Sequence, residues 1–393
     1  MLDLLIKEAK LNGRLTDIGI TDGHISCVLE NIEEAALSVI NAKGRIVVPG
    51  FIDCHMHLDK VLLNEESVYV DGTGVEKGAL TFERKKMFTV ENITERAELI
   101  IKRAISAGTL AIRTNVDVDA SVGLKGIEAL IQLREKYRGI ITLQVVAFAQ
   151  EGVFFDHETQ VLLGQAIQMG ADMIGGHSTA KGEGEKHIDF ILNLAQKYNI
   201  EADFHLDESG NRNHYLLPYL AKRMNELGLV GRVNAIHCCT LSSLNQDELE
   251  EALSLIETSQ LKITVAPTAI STRNLAPVKR LIEKNITVGL GSDNIRDFFN
   301  PLGSGDIKQA ALLLSYVQRF FSEDEVNQVW SMVTDSGASL LGLPNFKIEK
   351  NNVANLTILD AYSPKEVIAY TSPAVVIIRS GKLIQDTLRH FII

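Results

Sequence analysis

The strongest constraint in this 393-residue sequence is a rhythm of eight short runs rich in apolar and β-branched residues. The runs are Ile46–His55, Leu110–Val116, Ile140–Gln150, Asp172–His177, Ile200–Leu206, Arg232–His237, Leu261–Pro267 and Ile286–Asp293. Between most of them lie segments of helical periodicity: Ile93–Ala107, Gly126–Tyr137, Gln160–Met169, His187–Tyr198, Tyr215–Leu227 and Leu249–Thr258. Strands alternating with amphipathic helices build parallel βαβ units. Eight in succession predict an α/β fold with a closed (β/α)8 TIM barrel over residues 50–345. The two ends do not share this pattern. Residues 1–49 read as short strands with turns at Asn12-Gly13 and Asp22-Gly23. The other end reads alike, with Asn355–Leu359, Ala374–Arg379 and a turn at Ser380-Gly381. Two-stranded pieces are marginal in water, so 1–49 and 346–393 are expected to form one small composite domain resembling a β-sandwich.

A chain of this length buries enough apolar surface to fold without a disulfide or metal staple, so a bound metal is expected to be catalytic. The net charge of −11, with Lys and Arg scattered, argues against a nucleic-acid partner and suits a small-molecule substrate. Cys27, Cys54, Cys238 and Cys239 lack the spacing of a disulfide framework or a Cys-rich zinc site. Free thiols suggest a reducing cytoplasm. The start Met1-Leu2-Asp3-Leu4-Leu5-Ile6-Lys7 has no signal-peptide pattern, and no apolar run nears the roughly 18 residues of a membrane span. A homo-oligomer is compatible with all of this.

Barrel enzymes place their catalysts at the C-terminal ends of the strands. Here those ends carry His55 with His57, Asn115, Gln150, His177, His205 with Glu208, His237, Pro267 with Thr268, and Asp293. His55 and His57 are two apart and share a strand face, so two imidazoles can meet one cation. Asp53 and Asp59 fit the carboxylates that orient metal-bound histidines. His205 is a candidate third ligand. Glu208, three residues on, can move protons without binding metal. His237 reads as a base or as a hydrogen-bond partner of a metal-held water, whereas the adjacent Cys238 and Cys239 read as packing. Asp293, ending the last barrel strand, can both ligate a metal and accept a proton. His177 is either a pocket contact or a surface loop residue. The set His55, His57, His205 and Asp293 suits one divalent ion, Zn²⁺ or Fe²⁺, with room for water, whose pKa would fall towards about 7.

The run Pro49-Gly50-Phe51-Ile52-Asp53-Cys54-His55-Met56-His57 resembles the opening motif of the amidohydrolase superfamily, and the likeness extends over nearly the whole chain. Val145-Val146-Ala147-Phe148-Ala149-Gln150-Glu151-Gly152 and the spacing of His205 to Glu208 are similar to cytosine deaminases. His57-Leu58-Asp59-Lys60 and Ser292-Asp293-Asn294-Ile295-Arg296-Asp297-Phe298 are similar to the N-isopropylammelide isopropyl amidohydrolases. The resemblance implies that His55, His57, His205 and Asp293 bind one metal and that His237 polarises the water. It further implies that Glu208 protonates a ring nitrogen, that Gln150 hydrogen-bonds the polar edge of the ring, and that Asp293 passes a proton to the departing amine. Asn294, which matches the triazine enzyme, and His177 are expected to contact substrate. Asn115 departs from the pattern, since both relatives tend to carry His there. The triazine enzyme lacks a Glu matching Glu208.

The expected function is metal-dependent hydrolytic deamination of a cytosine-like nitrogen heterocycle, releasing ammonia. The alternative is release of an alkylamine from a triazine, and a further one is a metal-binding homologue without catalysis. Two-metal cyclic amide hydrolysis usually needs a carboxylated Lys at the end of the fourth strand, which here ends Gly175-Gly176-His177. The stretch Gly72–Lys86 is expected to cover the mouth of the barrel.

Overall fold

The first strands are set by their turns. β1 (Leu2–Leu11), β2 (Arg14–Thr21) and β3 (His24–Leu29) are joined by Asn12-Gly13 and Asp22-Gly23. All four of those residues have positive φ, the backbone that tight two-residue hairpins require. β4 (Ala36–Asn41) adds parallel to β1, giving the order β3-β2-β1-β4. In this computed structural model, residues 1–63 and 74–386 are described.

After the short β5 (Val47–Val48) the chain enters the eight expected barrel strands. They are β6 (Phe51–Met56), β7 (Thr109–Asp117), β8 (Thr142–Ala149), β9 (Met173–His177), β10 (Glu201–Leu206), β11 (Val233–His237), β12 (Lys262–Val265) and β13 (Val288–Leu290). Each pairs in parallel with the next. The ring is completed by a parallel bridge between Met56 and Asp293, with Asp293 N–H donating to the His55 carbonyl at 2.9 Å. Asp53 seals the same seam: its carboxylate accepts from the Ser292 N–H at 3.0 Å and the Ser292 hydroxyl at 2.6 Å.

The helices are α1 (Gly74–Lys85), α2 (Val90–Ser106), α3 (Lys125–Lys136), α4 (His157–Met169), α5 (Glu185–Tyr198), α6 (Leu217–Glu226), α7 (Gln246–Ser259) and α8 (Val278–Glu283). α9 (Lys308–Val317), α10 (Glu323–Met332) and α11 (Asp335–Leu340) follow the last barrel strand. Helix starts follow their side chains: Asp156, Asn245 and Ser322 accept from backbone N–H groups of the first turn, satisfying donors the helix itself leaves free. None of the described helices is long and apolar enough to cross a membrane.

The chain ends with β14 (Leu356–Leu359), α12 (Pro364–Tyr370), β15 (Ala374–Arg379) and β16 (Lys382–Asp386), in a second sheet of order β16-β15-β14-β5. Inward residues of both terminal sheets, among them Ile6, Ile18, Ile20, Leu356, Ile358 and Val376, share one apolar core. One sequence expectation is corrected here. Ile46–His55 is two strands in two sheets, not one run. Pro49 has no N–H to donate to a ladder. Gly50 sits at φ 154°, where a Cβ would lie 2.6 Å from Leu110 Cβ. The buried Arg379 bridges the two bodies there, donating to the carbonyls of Pro49, Leu356 and Gly108.

Candidate active site

The strand ends deliver their imidazoles to one point. His55 and His57 rings lie 4.8 Å apart, His55 and His205 4.8 Å, and His205 and His237 5.0 Å. Asp293 closes the group, with Oδ1 3.3 Å from His55 Nε2 and 3.6 Å from His57 Nε2. His55, His57, His205, His237 and Asp293 are all buried. Ligand atoms of His55, His57 and His205 lie within 4.8 Å of one another, as do those of His55, His237 and Asp293. A third such group joins His205, Glu208 and His237.

The two N-terminal histidines are aimed by Asn115 at the end of β7. Its side-chain oxygen lies 3.3 Å from His55 Nδ1 and its backbone carbonyl 3.2 Å from His57 Nδ1. Both oxygens are acceptors, so each Nδ1 carries the hydrogen and each Nε2 presents its lone pair inward. The Asn115 amide is held in turn by Asp203, at 3.3 Å. Burial, reinforced by neighbouring cations, holds His57 and His205 well below the usual imidazole range and brings His237 down to about 4. Neutral imidazoles are the form a metal needs. For His55 burial works the same way, but the Asp293 carboxylate outweighs it and raises the ring. His55 Nε2 is buried without a hydrogen-bond partner. This donor set therefore fits a divalent cation.

Asp53 and Asp59 do not touch a histidine ring. Asp53 binds Ser292 and the His55 N–H, and Asp59 accepts from the Asp117 N–H at 3.0 Å. Their contribution is to fix the backbone, while ring orientation falls to Asn115. A sequence pattern of acids beside histidines could not separate these roles, because Asn115 is 60 residues from His55.

The last strand approaches His55 closely. A Cβ on Gly291 would lie 2.6 Å from His55 Cβ and 2.8 Å from its carbonyl oxygen. Gly291→Ala is therefore expected to push β13 outward and cost about 1–3 kcal/mol. Denaturant unfolding and metal titration of the variant test this; an unchanged midpoint and unchanged metal affinity would show the seam to be more yielding than it looks.

Glu208, in the loop after β10, stands beside His205 and His237. His177 Nε2 is 3.0 Å from its Oε2, Arg273 donates to its Oε1, and His237 Nε2 is 3.9 Å from Oε1. Burial would raise the Glu208 pKa, but His237, His177 and Arg273 together hold it well below the ordinary carboxylate range. Glu208 therefore rests as a carboxylate. His177 is a pocket contact, which decides between the two readings the sequence left open. Cys238 and Cys239 are buried, consistent with packing.

A cavity of about 410 Å³ opens on this cluster, lined in part by Gln150, Glu151, His177, Glu208, Arg273 and Asn294. Gly78 and Thr81 of α1 and Phe299 also line it. Of the stretch expected over the mouth, Gly72 and Thr73 fall outside the described residues, and Gly78 and Thr81 of α1 reach the cavity wall. Gln150 and Asn294, expected at the substrate, both line the cavity. Arg273 was not legible beforehand, since a lone Arg in a strand–helix loop resembles any solvated charge. Lys60 and Lys85, both buried, surround Asp117; the sequence signal was the acid-rich run Asp117-Val118-Asp119, which reads as ordinary loop chemistry.

The sequence matches the amidohydrolase family over residues 38–155 and 71–385. It is 33% identical to N-isopropylammelide isopropyl amidohydrolase of Pseudomonas sp. (strain ADP), over 97% of each chain. The fold superposes on 5-methylcytosine deaminase from Klebsiella pneumoniae liganded with 5-fluorocytosine with a TM-score of 0.91, at 28% identity and 97% coverage of both chains. It superposes on N-isopropylammelide isopropylaminohydrolase from Burkholderia multivorans ATCC 17616 with a TM-score of 0.90, at 25% identity, covering 98% of this chain and 99% of that one.

Proposed function

The chain belongs to the amidohydrolase family, and on that footing we propose that it removes the exocyclic amine of a cytosine-like nitrogen heterocycle by hydrolysis, releasing ammonia. The observation that carries this reading is Glu208. It is an ionised carboxylate at the cavity beside His205 and His237, fixed by His177 and Arg273. A divalent cation, Zn²⁺ or Fe²⁺, held by His55, His57, His205 and Asp293 would supply Lewis acidity and bring the pKa of a water towards about 7.

The protein's own groups then carry two protons. Glu208 starts as the base, taking one proton from the attacking water and giving it to the ring nitrogen beside the target carbon. That protonation makes the carbon electrophilic. Asp293, which also lines the cavity, takes the second proton and delivers it to the amine. The carbon–nitrogen bond breaks, the ring keeps a carbonyl, and the water's two hydrogens end on ring nitrogen and ammonia. His237 is neutral under these conditions and hydrogen-bonds the water. Gln150 holds the ring's polar edge, with Asn294 and His177 as further contacts.

Release of an alkylamine from a triazine is the second reading, supported by Asn294 at the cavity, by Lys60 behind Gln150 and by the 33% identity to the triazine enzyme. An ammonia-release assay of metal-loaded enzyme separates the two. The substrates are cytosine, isocytosine, 5-methylcytosine, pterins, creatinine and aminotriazines, with alkylamine measured alongside. Ammonia from a pyrimidine supports deamination, alkylamine from N-alkylaminotriazines alone supports the second reading, and silence throughout overturns both.

A further inference from the structure

Beside the reacting groups lies a buried charge chain that the mechanism does not use. Lys60 is 1% exposed. Its ammonium donates to Asp117 Oδ1 at 2.7 Å and to the Gln150 side-chain amide at 3.2 Å. Asp117 is shared: its Oδ2 accepts from Lys85 at 2.9 Å. Lys85, the last residue of α1, also donates to Asp119 at 2.6 Å and to Glu151 at 3.3 Å. Burial alone would discharge the two lysines, but Asp117 with the other acids outweighs it and keeps both charged.

An ammonium has three N–H donors and no acceptor. The amide atom of Gln150 facing Lys60 must therefore be oxygen. With that oxygen engaged, the NH₂ end of Gln150 is left for the cavity it lines. A free glutamine can read either a donor or an acceptor by turning its amide over; this one is denied the turn. The carboxylate nearest Gln150 in sequence, Glu151, is itself engaged by Lys85.

We propose that Lys60 is a specificity-determining positioning residue: by locking Gln150 as a donor, it requires the substrate to present an exocyclic oxo group there rather than an amino group. This rests on the reading of Gln150 as the substrate-edge contact in an amine-releasing hydrolase. The favoured substrates are oxo-substituted aminoheterocycles, and their fully aminated counterparts are rejected. Sites built around one hydrogen-bond polarity discriminate strongly, because the mismatched partner leaves buried groups unpaired.

The test uses two ring pairs in which the oxo groups are exchanged for amino: cytosine against 2,4-diaminopyrimidine, and ammelide against melamine. For metal-loaded enzyme, kcat/KM for ammonia release and Kd by calorimetry are measured for each. The wild type should favour the oxo partner by at least about 100-fold. Gln150→Glu keeps the shape and the Lys60 contact but turns an acceptor to the cavity; it should shrink the oxo/amino ratio by about 100-fold. Lys60→Met frees the amide to turn and should shrink the ratio by about tenfold. Because each ratio compares two ligands on one protein, general loss of active enzyme cancels from it. A ratio that moves less than threefold in Gln150→Glu, or that stays at the wild-type value in Lys60→Met, overturns the inference. If no probe releases ammonia yet the Kd ratios shift as stated, the donor lock stands and the deaminase reading falls.

Discussion

Replacing Asp293 by asparagine should lower kcat by about 10⁴-fold, at the upper end of what loss of a positioned proton carrier costs. Asparagine preserves the volume, and it tolerates the left-handed backbone that Asp293 adopts at φ 62°. The Asp293 N–H bond to the His55 carbonyl is a backbone contact and survives. What is lost is the charge beside His55 and His57 Nε2 and the capacity to carry a proton to the leaving amine. Metal content by mass spectrometry separates the two losses. A variant that keeps its metal yet loses activity isolates the proton role; one that keeps both metal and activity within tenfold would remove Asp293 from the mechanism.

Glu208→Gln should reduce kcat by about 10³-fold while KM changes little, since an amide of the same shape cannot carry a proton. Near-wild-type turnover would end the shuttle role. The environment of Glu208 gives a second check. Its pKa is depressed because His237, His177 and Arg273 outweigh burial. Arg273→Met removes one of these influences, so the carboxylate should hold its proton to higher pH. The acid limb of kcat/KM should then move upward in pH relative to wild type, with no such limb attributable to Glu208 in the Gln variant. A downward or absent displacement in Arg273→Met would mean that Arg273 does not govern the carboxylate.

The barrel was legible because its signal is periodic and local: each strand is a short apolar run and each crossover an amphipathic helix. The histidine–Asp293 cluster was legible for the same reason. His55, His57, His205, His237 and Asp293 each stand at or just beyond the end of such a run, and a parallel barrel gathers all strand ends to one face. What escaped was held by contacts between elements far apart in sequence. Asn115 was noticed as a departure from the family pattern, but its grip on two imidazole rings depends on strand register between β6 and β7. Lys85 sits at the end of a helix in sequence and is buried against Asp117 of β7 and Glu151 after β8 in space. The break at Pro49-Gly50 was written in the two residues that signal it, yet an apolar run on both sides hid it.

The seam between β6 and β13 joins residues some 240 positions apart in sequence, and the histidine–Asp293 cluster straddles it. The contact order of this single junction is therefore extreme, and chain-closure entropy must be met before it rewards the fold. The histidine–Asp293 cluster cannot exist in any partly assembled barrel, however complete its other strands. A cation bridging the first and last strands would thus act as a clasp on a ring, favouring the closed form by mass action. Occupancy and closure become one equilibrium, so a chelator should loosen the junction of β6 with β13 ahead of the rest of the barrel, visible as early hydrogen exchange at the Ser292 and Asp293 amides.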